Sequence, residues 1–394
     1  MRLRELAVLF LKLGCISFGG PAAHIALIER EIVGKRQWVT KQQFLDMVGA
    51  ANLIPGPTST ELAINVGFVR AGWVGLCVAG ASFILPAALI TGALAWAYVR
   101  FGTLPQAGAA LGGIKPAVIA VIAIAIWRLR KTAVKNAGLA VLGALSLVAF
   151  FLGVNPIVIL LGGGSVGTLA RRASALRGAG VPLPFALWRR GLSAGAGRGS
   201  GAWFFARFGA VAVAAVPSVT PSLVQIGLFF LKVGAVLYGG GYVLLAFLEQ
   251  GLTRQHTWLT HQQLLDAVAI GQFTPGPVLS TATFIGYVLG GAPGAAVATV
   301  AIFLPSFFYV AVLAPVLFRL RQSPWMAAFL DSVNVSAVAL MAGVTFRLGM
   351  DALRGWLSWV IAAAALGVLL RWKVNPAWVV LGGGLTGVVL AAVR

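Results

Sequence analysis

The chain has 394 residues, of which 59% are hydrophobic and only 10% charged, with a mean hydropathy of +0.94. A water-soluble core cannot hide that much apolar surface, so a soluble multidomain protein is excluded. The 30 Lys and Arg against 9 Asp and Glu give a formal net charge of +21, but most of these cations punctuate the ends of apolar runs, as orienting loop charges do, and do not form a nucleic-acid footprint.

In chain order, the pattern predicts a helix over 5–27 that is interrupted near Gly19-Gly20-Pro21. A segment over 44–69 follows, broken at Pro55-Gly56-Pro57, and then apolar runs over 73–99, 108–127, 138–152 and 155–170. Such runs match the ~20 residues a helix needs to cross ~30 Å of hydrocarbon. They do not alternate polar with apolar residues, which excludes an outer-membrane barrel. A Gly, Ser and Arg-rich stretch with Pro182 and Pro184 predicts a solvated, cytoplasmic linker over 171–221. Within it, Trp203 to Val216 is apolar but short, as an interfacial helix would be.

Residues 222–394 then repeat the series. Phe10-Leu-Lys-Leu-Gly14 returns as Phe230-Leu-Lys-Val-Gly234. The same offset carries Trp38, Thr40, Gln43, Asp46 and Pro55-Gly-Pro57 onto Trp258, Thr260, Gln263, Asp266 and Pro275-Gly-Pro277. After a one-residue gap, Pro86 falls on Pro305 and Arg128 on Arg347. The expectation is two homologous membrane modules, residues 1–170 and 222–394, with about 10–12 hydrophobic segments in all. If Pro-Gly-Pro makes a re-entrant hairpin, five spans per module remain, and an odd number turns the second module upside down. Loop charges agree: Arg30, Lys35, Arg36, Arg128 and Arg130 crowd one set of loops in the first copy, whereas in the second copy the opposite set gains Arg319, Arg321, Arg371 and Lys373. The fold class expected is an all-α polytopic membrane protein built from inverted-topology repeats with broken or re-entrant helices, an architecture common among secondary transporters.

The breaks are the candidate substrate site. A half-helix starting after Pro57 would aim free N–H groups and the positive end of its dipole into the protein, beside the hydroxyls of Thr58, Ser59 and Thr60. Such a pocket suits a small oxyanion. Gly19, Gly20, Pro21 and His24 form the first break, and Asn52, Pro55, Gly56 and Pro57 the second; Gln272, Pro275, Gly276, Pro277, Ser280 and Thr281 are the counterparts in the second copy. Lys12 and Lys232, each in the context Phe-Leu-Lys-x-Gly, either draw anions inward or snorkel to the interface. Glu61, replaced by Thr281 in the second copy, is a candidate gating or proton-linked group, with a solvated helix end as the alternative. Asp46 and Asp266 are expected to complement helix dipoles, and Trp38 and Trp258 to anchor at the interface.

His24, His256 and His261 share no metal-ligand spacing, and Cys15 and Cys77 share no redox spacing. The Gly162, Gly164 and Gly167 pattern lacks a βαβ context and reads as close helix packing. No cofactor, metal or enzymatic activity is therefore expected.

Phe18-Gly-Gly-Pro21 with His24, Trp38 ahead of Phe44-Leu-Asp46, and N-x-x-P-G-P-T-S-T-E-L from Asn52 to Leu62 together resemble the chromate ion transporter family, over nearly the whole chain. The two homologous halves are similar to its long-chain class. The second copy departs from the pattern, with Gly241 for Pro21 and Val278-Leu279 for Thr58-Ser59. The resemblance implies a multi-pass protein of the bacterial inner membrane that exports chromate from the cytoplasm, by secondary transport driven by membrane potential or a proton gradient, and so confers chromate resistance. Sulfate, with the same charge and tetrahedral shape, is the alternative cargo, and a passive anion channel the alternative mechanism. The implied partners are chromate or sulfate and the lipid bilayer, with no nucleic acid; a homodimer is compatible with this architecture.

Overall fold

A computed structural model describes residues 2–18, 21–102, 104–178, 221–238, 241–321, 323–372 and 374–393. Gly19, Gly20 and the predicted interfacial stretch from Trp203 to Val216 lie outside the described residues. The first half consists of α1 (Arg2–Ile16), α2 (Pro21–Glu29) continued by a π turn (Arg30–Lys35), α3 (Lys41–Ala51), α4 (Thr58–Phe101), α5 (Pro105–Ala133), α6 (Ala137–Phe151) and α7 (Pro156–Gly178). The second half begins with α8 (Leu223–Val236), a 3-10 turn (Gly241–Val243), α9 (Leu244–Leu248) and a π turn (Glu249–Gln255). It continues with α10 (His261–Phe273), a 3-10 turn (Val278–Ser280), α11 (Thr281–Arg321), α12 (Pro324–Ala352), α13 (Trp356–Arg371) and α14 (Pro376–Val393). Several of these helices are long and apolar enough to cross a membrane, and the protein is a multi-pass membrane protein.

The repeat is present down to single torsion angles. Thr40 and Thr260 each cap a helix through a reciprocal box with Gln43 and Gln263, which is why both residue types recur at that spacing. Gln37 and Thr257 both have φ 51°. α4 and α11 each contain a sharp corner, at Ala71-Gly72 (φ 61°, ψ −149° at Gly72) and at Gly290-Gly291 (φ 63°, ψ −156° at Gly291). At each corner the helix folds back on itself, so closely that a β-carbon on Gly67 would lie 2.3 Å from the Gly75 carbonyl oxygen, and one on Gly286 2.3 Å from that of Gly294.

These corners fix the topology. Arg70, at the corner of α4, lies 3.6 Å from Glu5 at the start of α1 and 4.8 Å from the ring centre of Trp38, which precedes α3. The start of α1, the end of the α2 π turn and the end of the 58–70 half-helix therefore share one face. α1 ends not at the opposite face but at the central break, where the Ser17 carbonyl meets the Gly276 amide. Each half thus opens with two re-entrant hairpins, α1–α2 and α3 with residues 58–70, followed by four crossing helices. This corrects the expectation of five spans per module: the break before Pro21 reverses the chain and does not merely interrupt a span.

The halves are nonetheless inverted. Lys135, in the α5–α6 loop, reaches Asp331 near the start of α12 at 2.7 Å, and Phe150, at the opposite end of α6, lies 4.3 Å beneath Arg347 near the end of α12. Gly113 and Gly383 bring α5 and α14 into backbone contact in antiparallel sense, Gly387 meeting Ala109. α7 delivers the chain to the face that holds Arg70 and Lys135, whereas α8 starts at the other, where Leu223 and Ile226 pack near Gly290. α7 therefore ends and α8 begins on opposite faces of the protein.

Candidate functional site

Four broken helices point their ends at the middle of the protein, two from each half. Their breaks interlock reciprocally. The Gly56 amide donates to the Leu237 carbonyl at 2.7 Å, and the Gly276 amide donates to the Ser17 carbonyl at 2.8 Å. Gly56 and Gly276 are repeat equivalents, as are Ser17 and Leu237, so the pair of bonds marks a pseudo-two-fold axis through the centre. Both glycines have positive φ, 143° and 90°, which the intervening position of Pro-x-Pro requires here and which a side chain would resist.

The first-half break is the more polar. Pro55, Gly56 and Pro57 are buried, and the half-helix beginning at Thr58 has no side-chain cap, because Pro57 precedes it. Ser59, Thr60 and Glu61 follow at 2%, 0% and 1% exposure. His24, 1% exposed at the start of α2, shares a 3.2 Å hydrogen bond with Ser59 and meets Phe83 edge-on. Thr58 donates to Asn52 at 3.3 Å, at a more exposed position. Ser306 of α11 and Ser17 at the end of α1 complete the group, both fully buried. A β-carbon at Gly56 would lie 2.3 Å from Glu61 Oε1 and 2.4 Å from Ser306 Oγ, so those two oxygens lie within the sum of these distances of one another.

Ser17, Thr60, Ser306 and both oxygens of Glu61 have no hydrogen-bond partner among the described residues. An unsatisfied buried polar atom costs about 1–3 kcal/mol, so such a concentration at the meeting point of four helix ends points to a site for a polar ligand. The second-half break is poorer: Leu237 and Leu244 stand where Ser17 and His24 are, and Thr281 bonds back to the Val278 carbonyl at 2.8 Å. Ser280 is reached across the axis by Thr91 at 3.3 Å. Pro275, Gly276 and Pro277 are buried like their equivalents, and Gln272 lies half-buried at the end of α10.

Other sequence-predicted residues lie elsewhere. Lys12 is exposed, on the face of α1 that carries Val8, Leu11 and Ile16, opposite the buried Leu9, Phe10, Leu13 and Gly14. Lys232 is exposed likewise, close enough to His256 near the far face to act on it electrostatically. Both therefore lie outside the buried central group, in positions from which a long side chain can snorkel. Asp266 complements no helix end: it pairs with Lys115 of α5 at 3.0 Å and accepts from Tyr98 at 2.9 Å. Sequence reasoning missed Ser17 and Ser306. Their repeat equivalents are Leu237 and Ala87, so comparing the two copies gave no polar signal at either position.

The sequence profile of the chromate transporter family matches residues 4–168 and 224–388, one match in each half. The chain is 34% identical to a chromate transport protein of Cupriavidus metallidurans over 98% of its own length and 93% of that protein's. It is 31% identical to a chromate transport protein of Pseudomonas aeruginosa, covering 97% and 91%. An uncharacterized transporter of Bacillus subtilis, YwrA, is 30% identical over only 38% of this chain but 86% of its own. No solved structure matches the chain. With inverted halves, interlocked breaks and a family match in each module, the chain belongs to the chromate transporter family.

Proposed function

We propose that this protein exports chromate from the cytoplasm across the bacterial inner membrane, by alternating access at the central breaks, and thereby confers chromate resistance. The observation that carries this reading is the convergence of four broken helices on a buried group of unsatisfied polar atoms at a pseudo-two-fold axis. Inverted repeats place such sites at the bilayer midplane and open them alternately by moving one unit against the other. Chromate as cargo is supported by the relatives described as chromate transport proteins. The face bearing Arg36, Arg70, Arg130 and Lys135, against Arg100, Arg254 and Arg354 opposite, is cytoplasmic by the positive-inside rule.

The site works through helix ends and hydroxyls: the amides at the start of the 58–70 half-helix, with Ser59, Thr60, Ser17 and Ser306, supply donors to an oxyanion. Glu61 is the proton-linked group. Expelling one negative charge from a cell that is negative inside is favoured by ~2.3 kcal/mol per 100 mV, so the membrane potential alone can drive export. The test is uptake of labelled chromate into inside-out vesicles with an imposed potential. Saturable, potential-dependent accumulation that shows counterflow supports a carrier; flux that never saturates points to a channel, and no flux from well-inserted protein overturns the reading.

A further inference from the structure

We infer that the protein rests with its central site open to the basic face and shut off from the opposite one, and that the Lys115–Asp266 pair with Tyr98 is the gate a transport cycle must open. This rests on the transport reading above and deepens it. The observation behind it is a break in the repeat symmetry. α10 packs against α5, α12 and α14 as well as α4 and α11. Its counterpart α3 keeps the related contacts with α11 and α4, but has no comparable packing against α12, α5 or α7 among the described residues.

The side chains follow the helices. One stripe of α10 carries Leu265, Asp266 and Ala269, all buried. The same stripe of α3 carries Leu45, 46% exposed, with Asp46 and Gly49 half-buried and Asn52 exposed. Lys115 covers Asp266 at 3.0 Å and donates to Gln262 at 2.6 Å, while Tyr98 donates to the other carboxylate oxygen at 2.9 Å. The repeat carries Lys115 onto Asn334 of α12, which is exposed, and Asp46 accepts from Gln42 of its own helix at 3.3 Å. Asn52 accepts from Thr58 at the rim of the central group, so the exposed stripe runs from the start of α3, on the face of Trp38 and Arg70, to the site itself. An amide turned to lipid at that depth would give up its bonds to water with nothing to replace them. The exposure of Asn52 and Asn334 therefore marks a water-filled vestibule between α3 and α12, whose counterpart is closed by the packing of α10 on α5.

The repeat also describes the other state. Exchanging the two packings folds α12 onto α3, with Asn334 approaching Asp46, and frees α10 from α5, so that one unit rocks against the other. The two closures are unequal. One is held by a buried ion pair and the other has a neutral amide in place of the lysine. Separating a buried pair leaves both charges uncompensated, so the state that keeps Lys115 on Asp266 prevails in the absence of cargo. For an exporter, that is the state which collects its cargo.

The experiment uses the full-length protein with its exposed Cys15 and Cys77 replaced by Ser, in inside-out and right-side-out membrane vesicles, and a charged thiol reagent that cannot cross the membrane. Asn334→Cys should react readily in inside-out vesicles, which present the basic face to the reagent. Ala269→Cys, 1% exposed in the gate stripe of α10, should resist the reagent from either side. Adding Lys115→Ala together with Asp266→Ala should speed the reaction of Ala269→Cys in right-side-out vesicles roughly tenfold and slow that of Asn334→Cys. Removing both charges avoids the unpaired carboxylate that Lys115→Ala alone would leave. If Asn334→Cys does not react, the gap between α3 and α12 holds lipid and the inference falls. It falls too if Ala269→Cys reacts as fast as Asn334→Cys with the ion pair intact, or if losing the pair changes neither rate. Chromate flux in the same vesicles tests the transport reading separately: no flux from protein with the expected labelling overturns that reading and leaves the one-sided opening standing. The comparison of Asn334→Cys with Ala269→Cys decides the one-sided opening even where the variant lacking both charges fails to insert.

Discussion

The amide of Gly56 donates to the carbonyl of Leu237 across 2.7 Å, joining the second hairpin of one half to the first hairpin of the other. Gly56 can do this because its φ of 143° turns the chain between two prolines, and because it has no side chain to meet Glu61 and Ser306. Gly56→Ala should therefore lose ~1–3 kcal/mol from backbone strain alone, and more from the clash. Chromate flux should fall below detection even where protein survives in the membrane. A thermal-unfolding comparison in detergent, paired with vesicle flux, checks both halves of that statement; normal flux in the Ala variant would mean that the centre is looser than this geometry.

The two corners of α4 and α11 allow a comparison of glycines that serve different ends. Gly72 has φ 61° and ψ −149°, a conformation kept almost wholly to glycine, but open space where its β-carbon would go, so Gly72→Ala should cost about 1–3 kcal/mol of strain. Gly67 has ordinary helical geometry, but its β-carbon would lie 2.3 Å from a carbonyl oxygen. Gly67→Ala must push the half-helix off its neighbour and should cost more, about 3 kcal/mol or beyond. The order of the two melting temperatures tests this directly.

Asp266, Lys115 and Tyr98 tie the second-half hairpin to two crossing helices of the first half. Lys115→Ala leaves a buried carboxylate without its cation and should destabilise by about 3–5 kcal/mol. Removing both charges, in Lys115→Ala with Asp266→Ala, should recover part of that loss. A double variant as unstable as the sum of the single ones would show that the pair does not interact energetically.

At the basic face, the Glu31 carboxyl is hydrogen-bonded by Lys35 at 2.8 Å and also engaged by Arg36. The Lys35 bond comes first among the causes that hold its pKa down to about 2, below the ordinary 4.5. A depressed carboxylate contributes stability that is present above its ordinary pKa and is lost as pH falls through its folded value. Wild type should thus be more stable than Glu31→Gln at neutral pH, with the gap closing between pH 4.5 and about 2. A gap that does not vary with pH would show that the ion pairs contribute nothing to it.

Much of the fold was legible because the chain states it twice. The 220-residue offset and the Thr-x-x-Gln caps held to the level of torsion angles, and Pro-Gly-Pro marked a true reversal. The outward placement of Lys12 could have been read from its own helix, since Leu9, Phe10, Leu13 and Gly14 already define the buried face. The number of spans was not legible, because nothing local at Phe18 tells a kinked span from a chain that turns back; only the meeting of Glu5, Trp38 and Arg70 decides it. Nor was the approach of Ser306 to Glu61 around Gly56, which brings different halves together at positions where the repeat is broken.

The exchange of bonds between Gly56 and Leu237, and between Gly276 and Ser17, also bears on biogenesis. A nascent chain that has inserted only its first half has the Gly56 amide and the Ser17 carbonyl waiting in hydrocarbon for residues not yet translated. Until those residues emerge, the Gly56 amide needs another acceptor, because a buried donor left unpaired costs about 1–3 kcal/mol. Maturation of the centre is therefore a late, post-insertion event that neither half completes alone.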